Sequence, residues 1–244
     1  MALRGENFVL AADIAANWHV GVDEAGRGCL AGPVVSAAVL APPAFDFLSA
    51  FPGLTDSKAL SAAKRESLRL AILGSPILWG LGFSWPPEID GVNILNATFR
   101  AMTRAVCSLF LFLERHRQRL DIPDDLPSSL PLCIDGTQKI RPREWQAGQR
   151  TQRAFTLPRQ YALVRGDAVL PSISAASVLA KTRRDRLMRA LDRRYPGYAL
   201  AQNKGYGTKA HMEALERLGP SPLHRKTFAP CARRGRTPEQ GKLL

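Results

Sequence analysis

Apolar and β-branched residues near the start of the chain predict a pair of β-strands. The string HVGVDE is followed by the glycine-rich turn GRG and then by GPVVSAAVLAP, a pattern that indicates a hairpin. Residues 78–85 contain alternating bulky side chains and predict a third strand, which ends at the two prolines at positions 86 and 87. The first part of the chain therefore predicts three consecutive strands.

The later part of the chain changes to a helical period. Apolar residues recur through 93–119 at the spacing of a long helix with one buried face, and 172–195 predicts a second strong helix. Between them, the short apolar runs at 132–134 and 161–164 suit buried strands. The predicted order is βββαβαβα-like, with helices and strands alternating in the second half.

Two regions fit no long element. The segment 136–160 is polar and basic, contains prolines and glycines, and is predicted to be a surface excursion rather than a domain. After Leu218 the chain has too little apolar content to fold alone, so it is expected either to pack on the main domain or to fray. One domain with a C-terminal extension is the simplest organisation.

Charge favours a polyanionic partner. The chain has 34 Lys and Arg against 21 Asp and Glu, a net charge of +13, and residues 181–244 alone carry 16 basic and 5 acidic residues. Neutralising phosphates releases counterions and drives salt-dependent association, so nucleic acid is a natural partner. A solvated basic face is the plain alternative.

Targeting signals and cysteine spacing point to the cytoplasm. Apolar runs fall well short of the ~20 residues of a membrane span, and the N-terminal string lacks the uninterrupted apolar core of a secretory signal. The four cysteines show no CxxC spacing, which argues against a zinc site or a disulfide framework. We expect a soluble, cytoplasmic protein with reduced and mostly buried thiols.

Four carboxylates stand where predicted strands or turns end. Asp23 and Glu24 follow HVGV, Asp135 follows LCI, and Asp167 follows YALVRG. Taken singly, an acid beside glycine at a strand end is ordinary turn chemistry. Gathered at one end of a sheet, the four would repel one another unless divalent cations lay among them, and hard oxygen donors favour Mg²⁺ or Mn²⁺. Two such ions can hydrolyse a phosphodiester.

The adjacency of Asp23 and Glu24 poses a geometric problem, because successive side chains of a strand point to opposite faces. Both can face one site only if the strand twists or bulges, which Gly26 and Gly28 make possible. We therefore predict a local break in strand geometry at Glu24. The GRG turn could also bring backbone N–H groups close to a sugar or phosphate, with Arg27 as a donor, although a plain turn is the alternative.

Several strings together become specific. They are, in order, GVDEAGRGCLAGPVV, LTDSKALS, EIDGVNILNATFRAM, CIDG, GDAVLPSISAASVLAKTRRDRLM, NKGYGTKAH and HRKTF. They resemble the motifs of type 2 ribonucleases H, the ribonuclease HII family, from about His19 to Phe228. The resemblance implies an α/β, ribonuclease H-like fold: a central mixed five-stranded sheet flanked by helices, three antiparallel strands first, with a C-terminal helical extension.

The resemblance also implies a role for each matching residue. The catalytic residues and ligands of Mn²⁺ or Mg²⁺ would be Asp23, Glu24, Asp135 and Asp167. The residues that sense a 2′-hydroxyl where RNA joins DNA would be Gly26, Arg27, Gly28 and Tyr206. Candidates for further contacts with the substrate backbone are Ser57, Lys58, Ser172, Lys181, Arg184 and Lys204. His211 and His224 are expected to be structural.

These parts imply an organisation and a reaction. Residues 1–18 would be an N-terminal extension, 19–195 the catalytic domain, and 196–244 a C-terminal helical extension and basic tail packed on it. The implied enzyme is an endoribonuclease that hydrolyses the RNA strand of RNA/DNA hybrids and cuts 5′ of ribonucleotides embedded in duplex DNA. It would leave 3′-hydroxyl and 5′-phosphate ends and serve ribonucleotide removal, replication and repair.

Two alternatives and one partner stay open. A type 3 ribonuclease H usually carries an extra N-terminal domain, for which about 18 residues leave no room, and a non-catalytic nucleic-acid binder would keep only the basic region. We expect a monomer. The tail EQGKLL faintly resembles sliding-clamp docking peptides, with Gln240, Leu243 and Leu244 as anchors.

Overall fold

The computed structural model describes residues 12–43, 45–116, 130–151 and 154–232. Its centre is a five-stranded sheet in the order β3-β2-β1-β4-β5. The strands are β1 (His19–Ala25), β2 (Val34–Ala41), β3 (Trp79–Ser84), β4 (Leu132–Asp135) and β5 (Gln160–Leu163). Neighbours among the first three are antiparallel, whereas β1 with β4 and β4 with β5 are parallel. The predicted mixed sheet is confirmed.

Helices surround the sheet. In chain order they are α1 (Phe47–Ala50), α2 (Ala62–Leu73), α3 (Pro86–Val92), α4 (Ile94–His116), α5 (Pro142–Gly148), α6 (Gly166–Val169), α7 (Pro171–Arg194), α8 (Leu200–Asn203), α9 (Lys209–Leu218) and α10 (Ala229–Ala232). The two long helices, α4 and α7, match the helical periods in the sequence, although residues 117–119 of the first prediction lie outside the described residues. None of the described helices has the length and apolar character needed to cross a bilayer.

The two long helices pack on opposite faces of the sheet at glycine positions. A Cβ on Gly82 of β3 would lie 2.0 Å from the carbonyl oxygen of Ala101 in α4. A Cβ on Gly21 of β1 would lie 2.4 Å from the carbonyl carbon of Ser172 in α7. Any larger side chain would push the helices away. Helix α7 therefore lies directly against the strand that carries Asp23 and Glu24.

The segment 136–160 is more ordered than the sequence suggested. It contains α5, whose Trp145 is 2% exposed in the α4 core and donates its indole N–H to the Phe155 carbonyl at 2.8 Å. Glu144 accepts a 2.7 Å hydrogen bond from Arg100 of α4. Trp145 and the Glu144–Arg100 ion pair therefore anchor a segment that is otherwise polar and mostly at the surface.

The C-terminal part packs rather than frays as far as residue 232. Its apolar side chains, among them Tyr198, Leu215 and Leu223, form one cluster with Leu30 and Met188 of the preceding part of the chain. All four cysteines are buried, and no two of them form a disulfide. The domain boundaries proposed from the sequence stay a prediction.

Candidate active site

Strand β1 delivers the first two acids. Its pairing with β2 is regular to the end, with Asp23 opposite Ala37, Glu24 opposite Ser36 and Ala25 opposite Val35. The predicted break at Glu24 is therefore wrong, because hydrogen bonding to a neighbouring strand keeps the backbone extended until Gly26, whose φ is +99°. Strict alternation places Asp23 on the α7 side of the sheet and Glu24 on the other side.

The other two acids reach the same end of the sheet through parallel strands. The register that pairs Val22 with Ile134 makes Asp135 the neighbour of Asp23 on the α7 side. Asp135 accepts a 2.8 Å hydrogen bond from the N–H of Gly166, and Asp167 follows in the first turn of α6, just after β5. Parallel strands end at one edge, so three chain segments far apart in sequence meet there.

Burial and mutual repulsion disfavour ionisation of these acids. Burial, reinforced by the charges of Glu24 and Asp135, raises the pKa of Asp23 well above its usual value. Burial and the charge of Asp135 raise the pKa of Asp167 to about 6. Burial also raises the pKa of Glu24, although Arg27, whose Nη1 lies 3.4 Å from the Glu24 Oε1, opposes this. The charge of Asp135 also raises the pKa of Glu24, which lies at the end of the same strand as Asp23 but on its other face.

One exposed lysine faces the acids. Burial lowers the pKa of Lys58, but the charges of Asp23, Asp56 and Asp167 outweigh it and raise that pKa. Asp56 also raises the pKa of Asp167 through a side-chain hydrogen bond. Asp56 was not predicted from the sequence, although it directly precedes the candidates Ser57 and Lys58.

The donor set fits a divalent cation. Within the described ranges, no three acidic, histidine or cysteine side chains are already arranged as ligands of a single ion. The acids are therefore electrostatic neighbours rather than a formed cage. A cluster of hard carboxylate oxygens faced by one lysine has excess negative charge that Mg²⁺ or Mn²⁺ neutralises well.

The GRG turn and Tyr206 lie beside each other, next to the acids. Gly26 is buried, whereas Arg27 and Gly28 are exposed. Tyr206 is 41% exposed, and its side chain hydrogen-bonds to the thiol of Cys29, which directly follows the turn. The Lys181 ammonium lies 5.5 Å from the Tyr206 ring centroid and 2.9 Å from an Asp185 carboxylate oxygen. This places an aromatic face and exposed backbone at one end of the acid cluster.

Three of the substrate-backbone candidates are buried. The Ser57 hydroxyl accepts a hydrogen bond from the Ser177 hydroxyl at 2.8 Å, and the Ser172 hydroxyl lies 3.0 Å from the Nε2 atom of His19. Arg184 is 0% exposed and donates only to backbone carbonyls. A direct phosphate contact by Arg184 therefore does not agree with the structure, since its guanidinium is enclosed beneath the GRG turn.

The remaining candidates reach the surface to different degrees. Lys58 is exposed, whereas Lys181 and Lys204 are partly buried. The Lys204 ammonium is hydrogen-bonded to the carbonyl of Ala201. No role was predicted for Arg225, which belongs to the string HRKTF. It is 0% exposed and binds the carbonyls of the GRG turn.

Comparison with known proteins identifies the family. The family model described as Ribonuclease HII matches residues 20–110 and 132–231, which is most of the chain. The chain belongs to the ribonuclease HII family. Ribonuclease HII of Oleidesulfovibrio alaskensis is 49% identical over 220 residues, covering 87% of this chain and 79% of that protein. Ribonuclease HII of Nitratidesulfovibrio vulgaris is 49% identical over 208 residues, covering 85% of this chain and 84% of that one.

Solved structures agree on the fold. The crystal structure of Bst-RNase HIII in complex with Mn²⁺ matches with a TM-score of 0.67 at 19% identity, over 92% of this chain and 71% of that one. The ribonuclease HII in the PCNA:RNase HII complex from Archaeoglobus fulgidus matches with a TM-score of 0.60 at 23% identity, over 86% and 95%. The predicted family, fold and endonuclease class of this ribonuclease HII are confirmed.

Proposed function

We propose that this ribonuclease HII hydrolyses the RNA strand of RNA/DNA hybrids and cuts on the 5′ side of ribonucleotides embedded in duplex DNA. The observation that carries the proposal is the meeting of Asp23, Asp135 and Asp167 at one end of the sheet, beside the exposed GRG turn, with Glu24 at the end of the same strand as Asp23. The products are 3′-hydroxyl and 5′-phosphate ends, which suit ribonucleotide removal during replication and repair.

The four acids are the ligands of the catalytic Mg²⁺ or Mn²⁺. When bound, such ions supply an activated water and stabilise the leaving oxygen of a phosphodiester. Asp23 and Asp135 present their oxygens from adjacent strands, and Asp167 does so from the start of α6. Glu24, on the other side of β1, reaches the cluster from the strand end. Lys58 neutralises a phosphate of the cleaved strand as it approaches the acids.

Specificity for the RNA–DNA junction comes from the GRG turn and Tyr206. Exposed backbone at Arg27 and Gly28 donates to the sugar and phosphate of the ribonucleotide, and the Tyr206 ring packs on the neighbouring sugar. The 2′-hydroxyl is the one group that separates RNA from DNA at this position, so short-range backbone contacts are well suited to detect it.

The experiment that tests the role of the acids compares Asp23→Asn with Asp13→Asn, an exposed acid that is not part of the cluster. Asp23→Asn is expected to lower cleavage of a duplex with one ribonucleotide by at least about 100-fold, because ligand loss removes several kcal/mol of transition-state stabilisation. Binding of the uncut duplex should be kept.

A non-catalytic binder would show no difference between the two variants. The same measurement repeated with Asp135→Asn tests a ligand from a different strand. Normal cleavage by either active-site variant would contradict the proposed ligand set.

Interactions with partners other than the substrate stay predictions. The tail with Gln240, Leu243 and Leu244 lies outside the described residues, so its docking to a sliding clamp stays a prediction, as do the monomeric state and the cytoplasmic location. Clamp affinity that is unchanged after deletion of residues 238–244 would remove the docking prediction.

A further inference from the structure

Two buried guanidinium groups lie under the GRG turn. Arg225 donates to the carbonyl oxygen of Gly26 at 2.6 Å, to that of Arg27 at 2.7 Å and to that of Gly32 at 3.0 Å. Its side chain is 0% exposed, so it contacts no substrate itself. Arg225 therefore holds the inner side of the turn whose outer side is proposed to face the nucleic acid.

Arg184 extends the same arrangement along the turn. It donates to the carbonyls of Pro33 at 2.9 Å, Ala31 at 3.0 Å and Lys204 at 2.8 Å. The third contact joins the turn to the loop that carries Tyr206, since Leu30 N–H also donates to the carbonyl of Gly205 at 2.8 Å. The two arginines thus tie together the two elements that read the junction.

The free energy of the hydrogen bonds made by Arg184 and Arg225 explains why these residues fix the backbone of the turn. The six carbonyls that the two arginines bind belong to turns and loops rather than to a sheet or helix, although that of Gly26 also accepts the N–H of Cys29 at 3.4 Å. Removing one guanidinium leaves buried carbonyls without donors, which costs more than the bond itself contributes. The backbone is expected to rotate so that these carbonyls reach water.

If these carbonyls rotate, the N–H groups on the outer face of the turn rotate with them. Within the part of the chain that the structure describes, the N–H groups of Arg27 and Gly28 donate to no protein acceptor. A peptide plane turns as one unit, so a carbonyl held inward by Arg225 holds the N–H of the next residue outward. The Gly26 carbonyl fixes the N–H of Arg27, and the Arg27 carbonyl fixes that of Gly28.

We propose that Arg225 is a positioning residue for recognition of the RNA–DNA junction. By binding the carbonyls of Gly26 and Arg27, it orients the N–H groups of Arg27 and Gly28 toward the ribonucleotide. Arg184 supports it by linking the turn to the Tyr206 loop. The inference rests on the proposed function of the GRG turn, and it assigns the HRKTF string a role at the substrate rather than in the core alone.

The test uses Arg225→Met, Arg225→Lys and a matched control, Tyr198→Phe. Tyr198 lies in the same C-terminal cluster and donates its hydroxyl to the Gly219 carbonyl at 2.8 Å, away from the turn. Steady-state cleavage is measured on a duplex with one ribonucleotide, together with the thermal midpoint of each variant. Arg225→Met is expected to raise KM by about 10- to 100-fold, because small misplacements of binding groups cost that much. The effect on kcat should be smaller.

Arg225→Lys keeps the charge but has one nitrogen to share among three carbonyls, so its KM is expected between those of the wild type and Arg225→Met. If Arg225→Met does not fold, Arg225→Lys still tests the inference. Tyr198→Phe should lower the thermal midpoint without changing KM. Arg225 variants that fold and keep the wild-type KM would overturn the inference. A wild-type enzyme that does not cut the duplex would instead overturn the proposed function.

Discussion

At the scale of single residues, the two glycines of the GRG turn are under different steric constraints. Gly26 is required by the protein itself, since its φ is +99° and a Cβ would lie 2.0 Å from the Arg184 Nε atom. A Cβ on Gly28 would meet nothing within 4 Å, and its φ is not in the left-handed region. The described part of the chain therefore does not itself require glycine at position 28, which agrees with the proposed close approach of the substrate.

Replacing Gly28 by Ala separates substrate contact from folding. Gly28→Ala is expected to leave the thermal midpoint unchanged and to lower kcat/KM on a single-ribonucleotide duplex by about tenfold, the effect of losing one contact worth ~1.4 kcal/mol. Gly91→Ala is the matched control, because a Cβ there also meets nothing. Full activity of Gly28→Ala would show that the substrate does not approach this turn closely.

The sequence placed the four acids at the ends of strands or turns, but it did not predict that Arg184 and Arg225 are buried. Asp135 was predictable because a short apolar strand ends directly at it, and the sheet then brings it next to Asp23. Arg184 and Arg225 could not be placed in the same way, because an arginine in a basic stretch looks solvent-exposed. Only the three-dimensional fold shows that loop carbonyls surround them.

At the scale of elements, a pair of histidines joins α9 to the loop that follows it. The Nδ1 of His211 lies 2.9 Å from the Tyr206 carbonyl, which can only accept, so His211 carries its proton on Nδ1. Its Nε2 then accepts from the Nε2–H of His224 at 3.0 Å, and the Nδ1 of His224 accepts from the N–H of Ser221. This network requires both rings to be neutral.

Acid is expected to destabilise this element. Burial and the neighbouring His211 lower the pKa of His224 to about 4, below its ordinary value of 6.5. A lowered histidine pKa gives stability that is complete above about 6.5 and is lost as the pH falls through about 4. The contribution of this histidine pair to the thermal midpoint should therefore fall over this range.

His224→Gln isolates that contribution, because glutamine can still donate to His211 but does not ionise. The active-site acids have raised pKa values and act in the opposite direction, but they are the same in both proteins. The difference between the thermal midpoints of wild type and variant is expected to shrink by several degrees between pH 6.5 and pH 4. A difference that is constant with pH would mean that the pair does not titrate as described.

The elements themselves were predicted unevenly. Long helices such as α4 and α7 show a clear period and were predicted to within a few residues. Short α5 was not predicted, because its stability comes from contacts of Trp145 and Glu144 with α4 rather than from local sequence. The regular end of β1 was also mispredicted, since pairing with a neighbouring strand outweighs the glycines that follow.

At the scale of the whole molecule, the fold collects chemistry from distant parts of the chain. Parallel pairing of β1, β4 and β5 brings the acids to one edge, and α7 covers the face that carries Asp23. The part of the chain from residue 196 to 232 then supplies both Tyr206 and Arg225 to the neighbouring turn. Family membership and the candidate Tyr206 were predictable from the motifs, but the contacts of Arg225 beneath the turn were not.

The most direct test of the account is to map the cut in a DNA duplex that contains one ribonucleotide, with Mg²⁺ and then with Mn²⁺. The account predicts a single cut on the 5′ side of the ribonucleotide, with 3′-hydroxyl and 5′-phosphate ends, and no cut in the same duplex made only of DNA. Absence of cleavage with either ion, or equal cleavage of the all-DNA duplex, would contradict it.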